Sequence, residues 1–141
     1  MVDKEFVKEK INLITLDLER LGEFSGFTIS RMAKDFMRYA ALKNVLTEII
    51  GRAIDINEHL LSELTKPAMS APKTYRETFF FLGDLDILPK DFAKEISKSA
   101  GFRNAIIHEY NNLDKGIVYR SVGDAIKQYT RYCEYILKFL S

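Results

Sequence analysis

The 141-residue sequence predicts an all-α protein, an up-down bundle of four main helices with one short helix. Two observations carry this. Apolar residues recur at three- and four-residue spacing almost throughout, and no segment alternates with the period of two that a half-buried strand needs. The chain also has only seven glycines and three prolines to interrupt helices.

The first helix is expected from about Lys4 to Glu23, with Phe6, Leu13, Leu16, Leu18 and Leu21 among its apolar positions, and Ser25 and Gly26 break it. A long second helix follows from about Ile29 to Leu64, striped by Ile29, Met32, Phe36, Ala40, Val45, Ile49, Ala53, Leu60 and Leu64. Gly51 inside it costs about 1 kcal/mol relative to Ala and suits a close helix contact. Pro67 and Pro72 bracket a loop. Thr74 and Glu77 then have the spacing of a capping box, opening the short helix that carries FFFL to Gly83. Pro89 suits the first turn of the next helix, where its missing N–H needs no partner. That helix carries Phe92, Ile96 and Ala100, with Gly101 as a candidate kink. Asn111 and Asn112 tolerate left-handed backbone and mark its end. The last helix spans about Ile117 to Leu140, with Val118, Val122, Ala125, Tyr129, Cys133, Ile136 and Leu140 at regular helical spacing. No repeat, linker or composition shift divides the chain, so residues 1–141 read as a single domain.

Composition narrows the function. With 47% apolar residues the chain fills one core without staples, and a domain of this length buries about two-thirds of its unfolded surface. Twenty-one Lys and Arg against 20 Asp and Glu exclude polyanion binding by bulk charge. Any nucleic-acid contact must therefore be local. One cysteine, Cys133, rules out an internal disulfide and a cysteine-based zinc site, and it reads as a small buried hydrophobe. Two histidines without a His/Asp cluster point to no protein-built metal centre, and no cofactor motif is present. The N-terminus lacks an apolar signal core and no stretch approaches the ~20 apolar residues of a membrane helix. The expectation is a soluble, cytoplasmic protein with no membrane association.

The stretch GFRNAIIHEYNN, residues 101–112, gathers the residues with chemistry. Arg103 continues the stripe of Phe92, Ile96 and Ala100, an expensive place for an arginine unless something pairs with it. His108 lies five residues on, about 140° around a straight helix, so the two do not aim at one spot. A two-fold axis between two copies would bring both pairs together. His108 sits near the helix end, where the dipole favours a cation, and histidine is suited to moving protons near neutral pH. An arginine beside it can hold a phosphate. Together they suffice for RNA cleavage without a metal, in which the ribose 2′-hydroxyl attacks the adjacent phosphodiester. Spacing alone also allows the commoner reading, a salt bridge and a capping contact. Asn104 stands one turn before His108 and is placed either to orient it or to face solvent. Tyr110 on its own reads more readily as a packing residue. His59 reads as the partner of Asp55 on the long helix, and Tyr119, Tyr129, Tyr132 and Tyr135 read as core or dimer packing rather than base-stacking groups. FFFL reads as core or interface.

Arg103, four residues, His108, one residue and Tyr110 resemble the Rx4HxY signature of the HepT toxins of the HEPN superfamily. The stretches AIDINEHLL (53–61) and PKTYRETFFFLGDLDILPKDFAKEISKSAGFRN (72–104) and the helix order are similar too, and the likeness weakens over residues 1–28. The resemblance implies a HEPN-like homodimer whose motif helices meet at the dimer cleft and form a metal-independent ribonuclease site of Arg103 and His108. It implies RNA as substrate, transfer or messenger, and a minimal nucleotidyltransferase (MNT) as antitoxin that transfers AMP to Tyr110. Two other functions compete: a non-catalytic helical subunit that binds substrate for a nucleotidyltransferase, and a purely structural dimerisation bundle. The intact Arg103 and His108 pair favours the enzyme.

Overall fold

The computed structural model describes residues 1–66, 68–108 and 112–141, and six α-helices lie among them. They are α1 (Lys4–Glu23), α2 (Ile29–Lys34), α3 (Phe36–Leu64), α4 (Tyr75–Asp84), α5 (Lys90–His108) and α6 (Lys115–Leu140). The fold class is the expected one. Helix α1 packs on α3 and α6, α4 packs on α5, and α3 touches both groups, so it is the central element. Expectations at Pro67, Tyr110 and Asn111 lie outside the described residues.

Short polar side chains set the helix starts. Asp3, Thr28, Asp35 and Thr74 each accept a hydrogen bond from the backbone N–H three residues on. Asp114 accepts from both Gly116 and Ile117 at the start of α6. Glu77 completes the α4 cap by accepting from the N–H of Lys73 rather than that of Thr74. The single long helix expected from Ile29 to Leu64 is broken at Asp35, whose backbone is extended with φ −103° while its carboxylate caps α3. Gly101 neither ends nor breaks α5. Gly83 has a spatial role. A Cβ there would lie 2.9 Å from that of Ala93, so the glycine lets α4 and α5 approach.

The core confirms the α6 stripe except at Ala125, which is half-buried. Val118, Val122, Tyr129, Cys133, Ile136 and Leu140 are all buried, joined by Tyr132. Helix α1 corrects its expected stripe. Leu13 and Leu16 are 42% and 41% exposed, whereas Val7, Ile11, Ile14, Asp17 and Leu21 are buried. Phe36, expected in the α3 stripe, is 80% exposed. Asp17 goes inside because Arg52 of α3 and Arg20 both bind its carboxylate. His59 does not pair with Asp55. Its Nε2 accepts from the N–H of Asp3 at 2.9 Å, and Asp55 binds Lys10 at 3.0 Å.

Buried hydroxyls join the helices. Tyr132 donates to Asn57 (2.6 Å) and lies 3.1 Å from the Ala53 carbonyl, while Asn57 donates to Thr78 of α4. Tyr129 meets Ser99 of α5 at 2.5 Å. Both tyrosines are core groups, as expected. Burial holds their phenols well above the ordinary tyrosine range. Burial, with Glu134 adding and Thr15 opposing, pushes the Cys133 thiol up to about 12.

These three groups make the fold sensitive to alkali. The unfolded chain loses their protons first, so the native state binds more protons in that window and stability falls as pH rises. The melting temperature should be level from neutrality to about pH 9, the ordinary value for the thiol, and then decline. The decline should steepen above about pH 10, where unfolded tyrosines ionise. Scanning calorimetry checks this, and a flat profile to pH 11 would contradict it.

Candidate active site on α5

Helix α5 buries Phe92, Ala93, Ile96, Ser97 and Ala100, and the next position on that face is Arg103. Its side chain runs to α3 and lies over Gly51. A Cβ built on Gly51 would stand 3.6 Å from the Arg103 Nε and 3.9 Å from one terminal nitrogen. Both are ordinary van der Waals distances, so an alanine would fit, and the close helix contact expected at this glycine is not found. On another side Arg103 Cζ is 5.6 Å from the centre of the Tyr75 ring, within cation–π range.

The guanidinium faces a groove of about 440 Å³ between α1, α3 and α5. Lys10 and Leu13 of α1, Glu48, Arg52 and Asp55 of α3, and Ile107 of α5 help to line it. Both acids among them are bound elsewhere: Glu48 to Arg52 at 3.0 Å and Asp55 to Lys10 at 3.0 Å. Arg103 forms no ion pair among the described residues, and its Nε is buried with no hydrogen-bond partner. A buried donor without an acceptor is expensive in a folded protein. What the arrangement offers chemically is a positioned, unneutralised guanidinium facing an open groove.

His108 closes the described part of α5 and is exposed. It is not among the residues lining the Arg103 groove, although its neighbour Ile107 is. One copy of the chain therefore does not bring the two motif residues to one spot, as the angular offset along the helix requires. Asn104 is exposed, and among the described residues no hydrogen bond joins it to His108. Tyr110 lies outside the described residues. No group of three or more His, Cys, Asp or Glu suited to a metal occurs among the described residues. Sequence reasoning passed over Tyr75, Lys10 and Arg52. Their spacing from Arg103 in the chain carries no signal, and only the packing of α1, α3 and α4 around α5 assembles them.

A family model described as "Ribonuclease HepT-like" matches residues 14–136. The chain belongs to this HepT-like family. The tRNA nuclease HepT of Aphanizomenon flos-aquae is 30% identical over 141 residues, covering 99% of this chain and 92% of that relative. The mRNA nuclease HepT of Shewanella oneidensis is 21% identical over 132 residues, covering 94% and 96%. Among solved structures, a toxin–antitoxin with AMP-PNP superposes with a TM-score of 0.84 at 20% identity, covering 96% of this chain and 99% of that one. A tri-AMPylated Shewanella oneidensis HEPN toxin in complex with its MNT antitoxin gives 0.82 at 22% identity, covering 98% and 99%. At these identities the solved structures speak for the HEPN fold.

The environments of Arg103 and Arg52 differ: Arg103 has no ion pair among the described residues, whereas Arg52 binds the buried Asp17. Arg103→Met keeps the stem and removes an unpartnered donor, so stability should stay within about 1 kcal/mol of the wild type. Arg52→Met leaves Asp17 buried with one of its two cations gone and should cost on the order of 3 kcal/mol. Urea unfolding of both variants checks this, and an Arg103→Met loss equal to that of Arg52→Met would make Arg103 structural.

Proposed function

We propose that the chain is the ribonuclease toxin of a toxin–antitoxin pair, cleaving RNA without a metal at a site built from Arg103 and His108. The observation that carries this reading is the Arg103 guanidinium, placed beside Gly51 at an open groove with no carboxylate bound to it among the described residues. An anion from outside is its natural partner, and a phosphodiester fits. The ribose 2′-oxygen forms a bond to phosphorus and the bond from phosphorus to the 5′-oxygen breaks. Histidine at position 108 takes the 2′-hydroxyl proton, and a proton returns to the 5′-oxygen as it leaves. Arg103 stabilises the charge on the phosphorane. The products are a 2′,3′-cyclic phosphate and a free 5′-hydroxyl. The names of the two curated relatives, a tRNA nuclease and an mRNA nuclease, support RNA as the substrate class.

The reading includes a homodimer of one-domain chains in the cytoplasm. Arg103 turns inward and His108 outward on one helix, so a second copy is needed to combine them. Leu13 and Ile107, 42% and 38% exposed at the groove, supply apolar surface suited to a partner copy. The reading also includes an MNT-type nucleotidyltransferase that silences the site by transferring AMP to Tyr110. It is supported by the solved complex of an AMPylated HEPN toxin with an MNT antitoxin. A phosphodiester on Tyr110, two residues from His108, adds negative charge and bulk where RNA must approach.

RNA cleavage should persist in EDTA and fall at least about 100-fold in both Arg103→Ala and His108→Ala, in line with the loss of a general acid–base group. Mass spectrometry of the fragments should find the cyclic phosphate. If His108→Ala cuts at the wild-type rate, the proton-transfer role is wrong. If no RNA is cut, the accessory-subunit function takes its place.

Co-expression with the nucleotidyltransferase should add AMP to the wild type in whole steps of mass and leave Tyr110→Phe unlabelled, while that variant still cleaves RNA. Equal labelling of the Phe variant would move the modification elsewhere.

A further inference from the structure

The chain is nearly neutral, yet its charge is unevenly placed. Residues 27–43 and 112–120 together hold six Lys and Arg against two Asp, a net of +4, whereas the whole chain carries +1. The remainder therefore carries a net of −3. The structure folds these two segments into one corner, where α2, the start of α3 and the start of α6 meet. Lys115 of α6 donates to the Ala33 carbonyl of α2 at 3.2 Å, and Tyr119 of α6 donates to the Phe27 carbonyl.

Two rings set the cations in place. Arg31 and Arg38 lie over Phe27, with Cζ 5.7 and 4.2 Å from its centre. Lys43 and Lys115 lie over Tyr39, with Nζ 4.7 and 5.1 Å from its centre. The two aspartates offset part of this charge, and Asp114 stands close enough to Tyr39 to add to burial in raising its phenol, but the corner stays net positive. Asp35 caps α3 and pairs with Arg38 alone, while Asp114 accepts two N–H groups of α6. Beside the cations stands Phe36, an aromatic ring 80% exposed at the first residue of α3.

The corner also borders the Arg103 groove. Thr47 lines that groove, and Lys43 is one turn before it on the same face of α3. Resting on the ribonuclease reading, we infer that this corner is an RNA-binding surface. It holds the backbone of a single-stranded segment next to the scissile phosphate and stacks a base on Phe36. The chemistry fits an RNA single strand. Pre-positioned cations meet phosphates, arginine planes and an exposed ring meet bases, and no base-edge code is needed. Without such a corner, a chain of near-zero net charge has no long-range attraction for RNA.

The test uses the full chain and a fluorescent 20-nucleotide RNA fully methylated at the 2′-oxygens, which cannot be cleaved by 2′-hydroxyl attack. Anisotropy titrations across salt give the affinity and its salt slope. Arg38→Gln, Lys43→Gln and Lys115→Gln should each lower the slope by about 0.7, the single-strand value per phosphate contact. The triple variant should bind at least about 10-fold more weakly at low salt. Phe36→Ala should weaken binding about 10-fold with the slope unchanged, as lost stacking does. Lys138→Gln, near the far end of α6, should change neither, and far-UV melting should show every variant folded. A triple variant with wild-type affinity and slope overturns the inference, as does a wild type that does not bind the probe. So does a triple variant that binds RNA normally but no longer captures the nucleotidyltransferase, since the corner would then be a protein-docking face. Binding is read without cleavage. A wild type that binds through this corner but cuts no RNA refutes the ribonuclease reading alone, and one that cuts RNA with an unimportant corner refutes this inference alone.

Discussion

Among the described residues, Asp17 is the one charged side chain that is buried, and its pairing with Arg52 determines how charge is shared out around the groove. Arg52 reaches from α3 to a carboxylate on α1 and so clamps the two helices that form two of the groove's walls. Its second nitrogen holds Glu48, one turn earlier on α3. Lys10 holds Asp55, one turn further along α3 than Gly51. Every acid at the groove is therefore bound by a cation from α1 or α3, and Arg103 arrives from α5 to find none free. The clamp thus does two things at once. It fixes the walls, and it keeps the motif guanidinium unneutralised, as the proposed phosphate contact requires.

The cost of that arrangement falls on α5. Its apolar stripe ends on an arginine whose Nε has no acceptor, where a leucine or methionine would pack without penalty. Local rules of folding are broken in this way at functional positions. The Arg103 side chain lies beside Gly51, and Tyr75 offers a ring in place of a carboxylate.

How far this was legible from the sequence depends on which physical signal each element carries. Helix α6 buries a single face against the rest of the bundle, so its apolar spacing reads directly as its core. Helix α1 does not. Its leucines at 13 and 16 face outward, and an acid sits inside because a partner 35 residues away in the chain neutralises it. Periodicity registers apolarity and cannot register a salt bridge to another helix. The break at Asp35 was readable as a capping residue, but it lay inside an unbroken apolar pattern that outweighed it. At the site, Arg103 was visible because it violates a stripe, and Gly51 because it weakens a helix. That the two lie together depends on α3 and α5 packing side by side. Helical spacing left Asn104 either orienting His108 or facing solvent, because it places side chains as neighbours without requiring a bond, and the exposed side chain fits the second.

Helix α3 makes the separate pieces one device. Its first turns carry Arg38 and Lys43, which lie over Phe27 and Tyr39, its middle carries Gly51 beside Arg103 and the acids bound to other cations, and its later turns hold Asn57, tied to α4 and α6. Because a helix is stiff, these distances are fixed by the rise per residue. From Lys43 to Gly51 is about 12 Å along the axis, a span of a few nucleotides. The buried hydroxyls of Tyr132 and Thr78 anchor the later half of this ruler to two other helices, so its earlier half cannot tilt independently. A neutral chain can then afford a local field. On the proposed reading, the charge that attracts RNA gathers at one end of α3 and the Arg103 charge lies beside its middle, while the remainder of the chain carries a net of −3.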